Sequence, residues 1–317
     1  MTVAEQKNKE SREQVRVVPI TERHEGQRLD NFLIRELKGV PRSRIYRLIR
    51  RGEVRVNKKR SKPEFKLSIG DQVRIPPIRE SQPAKQEKPS PGLAELLDKS
   101  LLLETDLLLV INKPAGLSVH GGSGIRLGLI EALRQMRAEW QRLELAHRLD
   151  KDTSGCLIIA KKPRALKQIQ QEFKKQRVEK TYHALVHGQW PAALTRVDVP
   201  LKKNQLSSGE RIVKVDRAGK EAETHFKVLQ RLPQASLIEA SPVTGRTHQI
   251  RVHCQYAGHP IIGDPKYGPK VSSATFKGAK KLCLHAAKVR FADPSRDGSL
   301  EVEAPWDKYF KTIAEKL

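Results

Sequence analysis

The segment that most constrains the fold of this chain is IRESQPAKQEKPSPGLAE, at residues 78–95. It is rich in proline, lysine, glutamate and glutamine, and its few apolar residues follow no helical or strand period. Such a segment cannot bury enough apolar surface to fold, so it is predicted to be a linker. The 317 residues therefore do not form one continuous core, and we predict a small domain at 17–77 and a larger one at 96–317. Residues 1–16 are polar and charged, which predicts a disordered tail.

Two short helices and two short strands are predicted in the small domain. The stretch RLDNFLIRELK carries apolar residues at helical spacing, and SRIYRLIRRG continues with a second helix. Ser43 is the candidate N-cap of that second helix, and Gly52 lies just past its end. EVRVN and QVRIP are predicted strands, with a turn at Gly70 and Asp71 between them.

The larger domain alternates predicted strands with predicted helices. The strand candidates are LLLETDLLLVINKP, GCLIIAK, KTYHALVHG, ASLIEASPV and LCLHAAKVRF, and a late strand follows in ADPSRDGSLEVEAP. The helix candidates are PRALKQIQQEFKKQ and RTHQIRVHCQYAG. This mixture predicts an α/β or α+β domain with a large sheet.

Positive charge indicates the kind of partner. The net charge is +25, and ten of the basic residues fall between residues 42 and 62, opposed there only by Glu53. Such a surface favours nucleic acid, because lysine and arginine neutralise phosphates and release counterions. The sequence has no 18-residue apolar run and no secretory or lipidation signal, so no membrane role is predicted. The side chains predicted to contact nucleic acid here are Arg42, Arg44, Arg47, Arg51, Lys58, Lys59 and Arg60.

An acidic loop in this basic chain, AHRLDKDTSG at 146–155, holds the candidate chemistry. Three interpretations compete for its residues. Asp152, Thr153 and Ser154 suit a turn in which their side chains bond nearby backbone groups. Asp150 and Asp152 together could bind Mg²⁺, although the basic neighbours oppose this. Alternatively, Asp150 is a catalytic carboxylate kept ionised by nearby arginines, acting as nucleophile or base.

Metal, nucleotide and disulfide chemistry lack their usual signatures. The three cysteines are far apart, which predicts buried thiols in a reducing cytoplasm. His248 and His253 are five residues apart rather than the four of a helical zinc pair, and no phosphate-binding glycine motif is present. These absences agree with a chemistry that needs no metal ion and no cofactor.

Both domains resemble known families. RLDNFL, SRIYRLIRRGEVRVNKK and LSIGDQVRIP resemble the S4-type RNA-binding domain. HRLDKDTSG resembles the catalytic motif of the RluA-type pseudouridine synthases, in the branch that acts on large-subunit ribosomal RNA. INKPAG, VHGG, KTYHALVHG, TGRTHQIRVH, GHPIIGD and LCLHA match that family in the same order, across about 110–286. The resemblance implies a catalytic domain with a large mixed, mainly antiparallel sheet flanked by helices.

The resemblance also implies the reaction and the roles of the site residues. Such enzymes break the N1–C1′ bond of a uridine in RNA and rejoin the uracil through C5, without a cofactor. By this resemblance Asp150 is catalytic, by attack at C1′, by removal of a 2′ proton or by addition to the ring. Arg148 fills the gap left by the flipped base, and Tyr182 stacks on that base. Arg251 pairs with Asp150, although Arg246 remains a second candidate for that pairing or for binding phosphate.

The predicted partner is 23S ribosomal RNA, and the predicted protein is a cytoplasmic monomer that requires no protein partner. Two other functional classes stay open at this stage. A non-enzymatic S4-type RNA-binding or ribosome-assembly factor would also explain the basic segment. A metal-dependent nuclease would use the two aspartates of the acidic loop.

Overall fold

The computed structural model describes residues 15–37, 40–78, 88–121, 127–205, 211–269 and 279–316. The chain divides into two compact units, residues 1–85 and residues 86–317. The predicted tail, 1–16, and the first part of the predicted linker fall largely outside the described residues. A helix begins at Pro91, inside the range predicted as linker, because Ser90 caps it by accepting a hydrogen bond from the amide of Leu93.

The first unit contains two helices and a three-stranded antiparallel sheet. Its elements are β1 (Arg16–Pro19), α1 (Leu29–Glu36), α2 (Arg42–Arg51), β2 (Arg55–Val56) and β3 (Gln72–Ile75). The strand order is β1-β3-β2. Both predicted helices and both predicted strands are present. The predicted N-cap at Ser43 is wrong, because α2 begins one residue earlier and follows Pro41, whose fixed φ suits a helix entry.

The second helix of this unit divides sharply between a buried and a basic side. Ile45, Leu48 and Ile49 lie in the core, whereas Arg47 and Arg51 are exposed, as the helical spacing predicts. Gly52 ends the helix with φ 71°, and its amide donates to the carbonyls of Leu48 and Ile49. This cap turns the chain directly into the basic segment that follows.

A tight turn carries a lysine where glycine would be less strained. Val56 and Lys59 exchange backbone hydrogen bonds of 3.0 and 2.9 Å, and between them Asn57 and Lys58 have φ of 49° and 64°. Two positive φ values define the hairpin turn in which glycine is favoured at the second position. A lysine there costs roughly 1–2 kcal/mol of backbone strain.

On the sequence-based prediction that Lys58 contacts RNA, replacing it by glycine should have opposite effects on stability and on RNA binding. We expect the free energy of unfolding to rise by about 0.5–1 kcal/mol, since relief of strain exceeds the entropy that glycine adds to the unfolded chain. The RNA association constant should fall. The slope of its logarithm against the logarithm of salt concentration should become less steep by about 0.7–0.9. Urea unfolding and filter binding measure the two effects. Lys59→Gly is the matched control: Lys59 has no positive φ, so glycine there should lower stability.

In the described residues, the second unit is built on a ten-stranded mixed sheet. Its strands are β4 (Leu101–Glu104), β5 (Leu108–Lys113), β6 (Glu144–Leu145), β7 (Ser154–Ala160), β8 (Glu179–His187), β9 (Arg196–Asp198), β12 (Glu223–Leu232), β13 (Ala235–Pro242), β14 (Leu284–Ala292) and β15 (Ser299–Glu303). Their order is β4-β5-β7-β14-β8-β13-β12-β9, and β6 and β15 pair with β7 and β14. Among these described strands, only the β7–β14 pair is parallel. The predicted mixed, mainly antiparallel sheet is confirmed.

Helices flank the sheet, and a separate hairpin lies beside it. The helices are α3 (Pro91–Lys99), α4 (Leu129–Met136), α5 (Pro163–Lys174), α6 (Gln249–Tyr256) and α7 (Lys308–Lys316). Strands β10 (Leu201–Gln205) and β11 (Arg211–Val215) form the hairpin. None of the helices in the described part of the chain is long and apolar enough to cross a membrane. All three cysteines are free and buried, as predicted.

The sheet positions the acidic loop. Every residue of β7 is buried, and β7 pairs with β5 on one side and with β14 on the other. Gly155 lies at the start of β7 with φ 107°, and a Cβ there would come within 2.2 Å of the carbonyl oxygen of Ala286. Only glycine lets the two strands approach so closely, which fixes the point where the loop enters the sheet.

Candidate active site

A buried lysine holds the loop before β7 in place through hydrogen bonds to backbone carbonyls. Lys113 is fully buried, and its Nζ donates to the carbonyls of Pro114, Leu117 and Lys151 at 2.8–2.9 Å. Burial lowers the pKa of Lys113 to about 7, against the opposing charges of Asp152 and Asp150. Three acceptors match the three protons of an ammonium group, so this side chain ties the loop after β5 to the acidic loop.

The turn itself follows the prediction in part. Lys151 and Asp152 form the turn, and the amide of Thr153 donates to the carbonyl of Asp150 at 3.2 Å. The prediction for Ser154 is wrong, because this residue begins β7 and its hydroxyl bonds Nδ1 of His285, 2.8 Å away. A partner 131 residues away along the chain could not be found from local sequence.

His147 anchors the other end of the loop. Its Nε2 lies 2.9 Å from the amide of Ile158 and accepts that proton, and its ring packs against Phe173. Burial, helped by the positive charge of Lys180, lowers the pKa of His147 to about 3. The imidazole is therefore neutral in the folded protein across the neutral range.

This histidine should make stability depend on pH. Between about pH 6.5, where an unfolded histidine titrates, and pH 3, the unfolded chain binds a proton that folded His147 does not. The contribution of His147 to the free energy of unfolding is therefore complete above pH 6.5. It is lost as the pH falls, by up to about 1.4 kcal/mol per pH unit. Urea unfolding measures the loss of unfolding free energy between pH 7 and pH 5. This loss should be smaller for His147→Gln than for the parent. Equal decreases would contradict the assignment. His225→Gln, at an exposed position of β12, controls for the substitution.

Asp150 stands at the edge of a small cavity with two basic neighbours. Its Oδ2 lies 3.8 Å from Nη1 of Arg251 and 3.8 Å from Nε2 of His248, and its side chain is 23% exposed. A carboxylate that keeps solvent access beside positive charge can act as nucleophile or base.

Arg251 is held in turn by an acid that sequence reasoning missed. Its Nε and Nη2 each donate at 2.7 Å to the two oxygens of Asp264, and both side chains are almost fully buried. Asp264 also accepts the amides of Lys266 and Tyr267. This aspartate ends the segment GHPIIGD. Its position directly after a glycine was the feature of the sequence that could have marked it as a site residue. That glycine, Gly263, has φ 74°.

Of the two arginines proposed to pair with Asp150, the structure brings Arg251 near it. Arg246 is exposed and donates through Nε to the carbonyl of Glu221 at 2.9 Å. Both belong to the segment that enters α6. Gln249, which sequence reasoning also missed, organises that entry by bonding Thr244, Thr224 and the backbone of Glu223.

Tyr182 lies on β8 and faces the same cavity. The side chain is half-buried, and burial raises its pKa, with the charge of Asp150 adding to the shift. The phenol therefore keeps its proton at neutral pH. Nearby on β8, burial lowers the pKa of Lys180 to about 8, and its Nζ lies 3.5 Å from the carbonyl of Thr244.

The cavity brings together the five residues proposed for the larger domain. Its volume is about 140 Å³, a size that can hold one six-membered ring. Proposed residues that line it are Arg148, Asp150, Tyr182, Arg246 and Arg251. Within the described residues, no group of three or more histidines, cysteines or acids is placed to hold a metal ion.

The basic residues proposed in the small unit lie along α2 and the turn after it. Arg42, Arg47 and Arg51 are exposed on α2, and Arg44 is half-buried. Arg44 and Arg47 border one hollow of about 280 Å³. A second, of about 500 Å³, is lined by Lys59, Arg60 and the half-exposed ring of Phe65.

Comparison with known proteins identifies the families. The RNA pseudouridylate synthase family matches residues 107–256, and the S4 domain matches residues 27–73. Ribosomal large subunit pseudouridine synthase C of Salmonella typhi is 51% identical over 309 residues, covering 96% of this chain and 97% of the relative. The protein of that name from Escherichia coli K12 is 50% identical over the same shares.

A solved structure agrees with this. Human RNA Pseudouridylate Synthase Domain Containing 4 has a TM-score of 0.59 and 29% identity, covering 71% of this chain and 95% of that one. The fold and site thus define an RNA-modifying isomerase with an S4 domain. The chain belongs to the RluA-type family of RNA pseudouridine synthases, which confirms the family predicted from HRLDKDTSG. The findings favour the enzyme over a non-enzymatic RNA-binding factor.

Proposed function

We propose that this enzyme converts specific uridines of 23S, large-subunit ribosomal RNA into pseudouridine, with Asp150 as its catalytic carboxylate. The observation that carries the proposal is the cavity at which Asp150, Tyr182 and Arg251 meet. The choice of RNA is supported by relatives named for the ribosomal large subunit, which match 96% of the chain.

The reaction transfers C1′ of the ribose from N1 to C5 of the same uracil. The N1–C1′ bond breaks, the C5–C1′ bond forms, C5 loses its hydrogen to solvent and N1 gains one. A cavity of this size suits one extruded base, and the uridine must leave its stack to enter it. Asp150 then stands beside the reacting nucleotide, while the protonated phenol of Tyr182 lies against the base.

The arginines around the cavity are proposed to contact the RNA around the target nucleotide rather than the extruded base itself. Arg148 is exposed at its rim, where the guanidinium can occupy the space vacated in the stack. Arg246 is available to a flanking phosphate. In the small unit, the exposed arginines of α2 and the turn carrying Lys58 are proposed to bind RNA phosphates, since guanidinium groups match phosphate oxygens.

Under this proposal the protein acts in the cytoplasm as a monomer and needs no protein partner or cofactor.

Release of tritium from uridine labelled at C5 tests the proposal. Purified protein should release tritium from unmodified 23S transcript, in amounts stoichiometric with a few uridines. The release should be unaffected by a strong chelator, and the RNA should stay uncut with and without the chelator. A 16S transcript is the control and should release none. Absence of release from 23S transcript, or cleavage of it, would contradict the proposal.

A further inference from the structure

Both basic neighbours of Asp150 lie near the same oxygen of its carboxylate. Arg251 and His248 lie on Oδ2 at the same distance, 3.8 Å. Arg251 has a second, shorter partnership with Asp264, which explains how that guanidinium is held. The reaction described above assigns no role to His248.

His248 has a backbone conformation that needs an explanation. It precedes α6 with φ 55° and ψ 19°, in the left-handed region. A residue with a Cβ there costs roughly 1–2 kcal/mol, and such strain persists only where the surrounding structure requires it. The conformation gives α6 an abrupt start, and the side chain remains only 15% exposed, beside Asp150.

A buried tyrosine sets the orientation of this ring. Nδ1 of His248 lies 2.7 Å from the hydroxyl of Tyr267, whose ring stands edge-on to the imidazole. That hydroxyl already accepts the amide of Val213 at 3.0 Å, and Tyr267 is only 2% exposed.

The hydrogen bonds assign the protons along this chain of contacts. Since the hydroxyl of Tyr267 accepts from Val213, its own proton can be donated to Nδ1 of His248. The proton of the neutral imidazole is then on Nε2, the nitrogen that faces Asp150. Burial lowers the pKa of His248, which favours the neutral ring; Arg251 and Lys266 act in the same direction, and Asp150 and Asp264 oppose it.

We propose that His248, oriented by Tyr267, is a positioning residue that fixes the carboxylate of Asp150 together with Arg251. Both nitrogens lie 3.8 Å from Oδ2, so their charge and polarity favour one orientation of the carboxylate and leave Oδ1 to the reacting uridine. The inference rests on the proposed catalytic role of Asp150. It adds a second support for Asp150, from β11 and Tyr267. This support is joined to the Arg251–Asp264 pair, because Asp264 also accepts the amide of Tyr267.

Single-turnover kinetics with excess full-length enzyme and C5-tritiated 23S transcript test this. His248→Ala should lower the rate at saturating enzyme by about 10²-fold, the loss typical of a misplaced catalytic group. His248→Gln, which restores an N–H donor, should recover about tenfold of that loss, and Tyr267→Phe should cost about tenfold. Filter binding should show RNA affinity unchanged in all three. Tyr256→Phe, at the exposed end of the same helix, is the matched control and should keep the parental rate.

A double variant shows whether His248 and Tyr267 act on Asp150 through the same contacts. If one chain of contacts positions Asp150, His248→Gln combined with Tyr267→Phe should be no slower than the slower single variant. A parental rate in His248→Ala and His248→Gln would overturn the inference, as would a loss confined to RNA affinity. If His248→Ala does not fold, His248→Gln and Tyr267→Phe decide the question. An inactive Asp150→Asn beside a fully active His248→Ala would overturn this inference alone, whereas an active Asp150→Asn would overturn the proposed function.

Discussion

The Asp150→Asn enzyme is expected to isomerise uridine more than about 10³-fold more slowly than the parent. Asparagine has nearly the same shape, but it carries no charge and cannot act as nucleophile or base. The fold should survive, because Arg251 keeps its bidentate partner Asp264. RNA affinity should also survive, because the proposed phosphate contacts lie elsewhere. Single-turnover tritium release and filter binding separate the two quantities.

Asp152→Asn is the matched control for this result. The two acids are two residues apart in one loop, and Asp152 forms the turn without lining the cavity. We expect this variant to keep most of the parental rate. Turnover retained by Asp150→Asn, or equal losses in the two variants, would remove Asp150 from the chemistry.

The second large effect should come from Asp264→Asn. Arg251 is only 3% exposed, so removing the charge opposite it leaves a buried guanidinium with incomplete compensation. We expect the free energy of unfolding to fall by about 3–5 kcal/mol, the usual cost of breaking a buried pair. The isomerisation rate should fall as well, because Arg251 loses the contact that holds it near Asp150. Urea unfolding and single-turnover kinetics measure the two effects.

An exposed ion pair provides the comparison. Asp198 pairs with Arg196 at 2.8 Å, and both side chains are more than half exposed. Asp198→Asn should therefore change stability by less than about 1 kcal/mol. Replacing both Arg251 and Asp264 by leucine should recover part of the lost stability without restoring activity, because no buried charge remains. Equal stability of Asp264→Asn and Asp198→Asn would contradict this account.

The parts of the fold found from sequence are those with a strong local pattern. The buried, mostly apolar run of β7 and the amphipathic α2 were predicted, and the structure contains both. Strands β9 to β12 were missed because more than half of their residues are charged or polar, and these alternate only in part with apolar ones. Helix α3 was missed because its proline at the first turn resembles a linker, although proline is favoured there.

The candidate site shows a similar division. Motifs quoted from the sequence contain all five residues that meet in the cavity, and the resemblance supplied their roles. The supports behind them could not be predicted. Lysine is usually exposed, so nothing in INKPAG indicates that Lys113 is buried against three carbonyls. Asp264 and Tyr267 act through contacts with α6 and β11, which depend on the tertiary fold.

Mapping pseudouridines in large-subunit ribosomal RNA tests the central claim most directly. The map should be compared between cells with the gene, cells without it, and deleted cells supplied with either the parent or Asp150→Asn. We predict that specific pseudouridines disappear on deletion, return with the parent and stay absent with Asp150→Asn at equal protein level. Identical maps with and without the gene, or restoration by Asp150→Asn, would contradict the account.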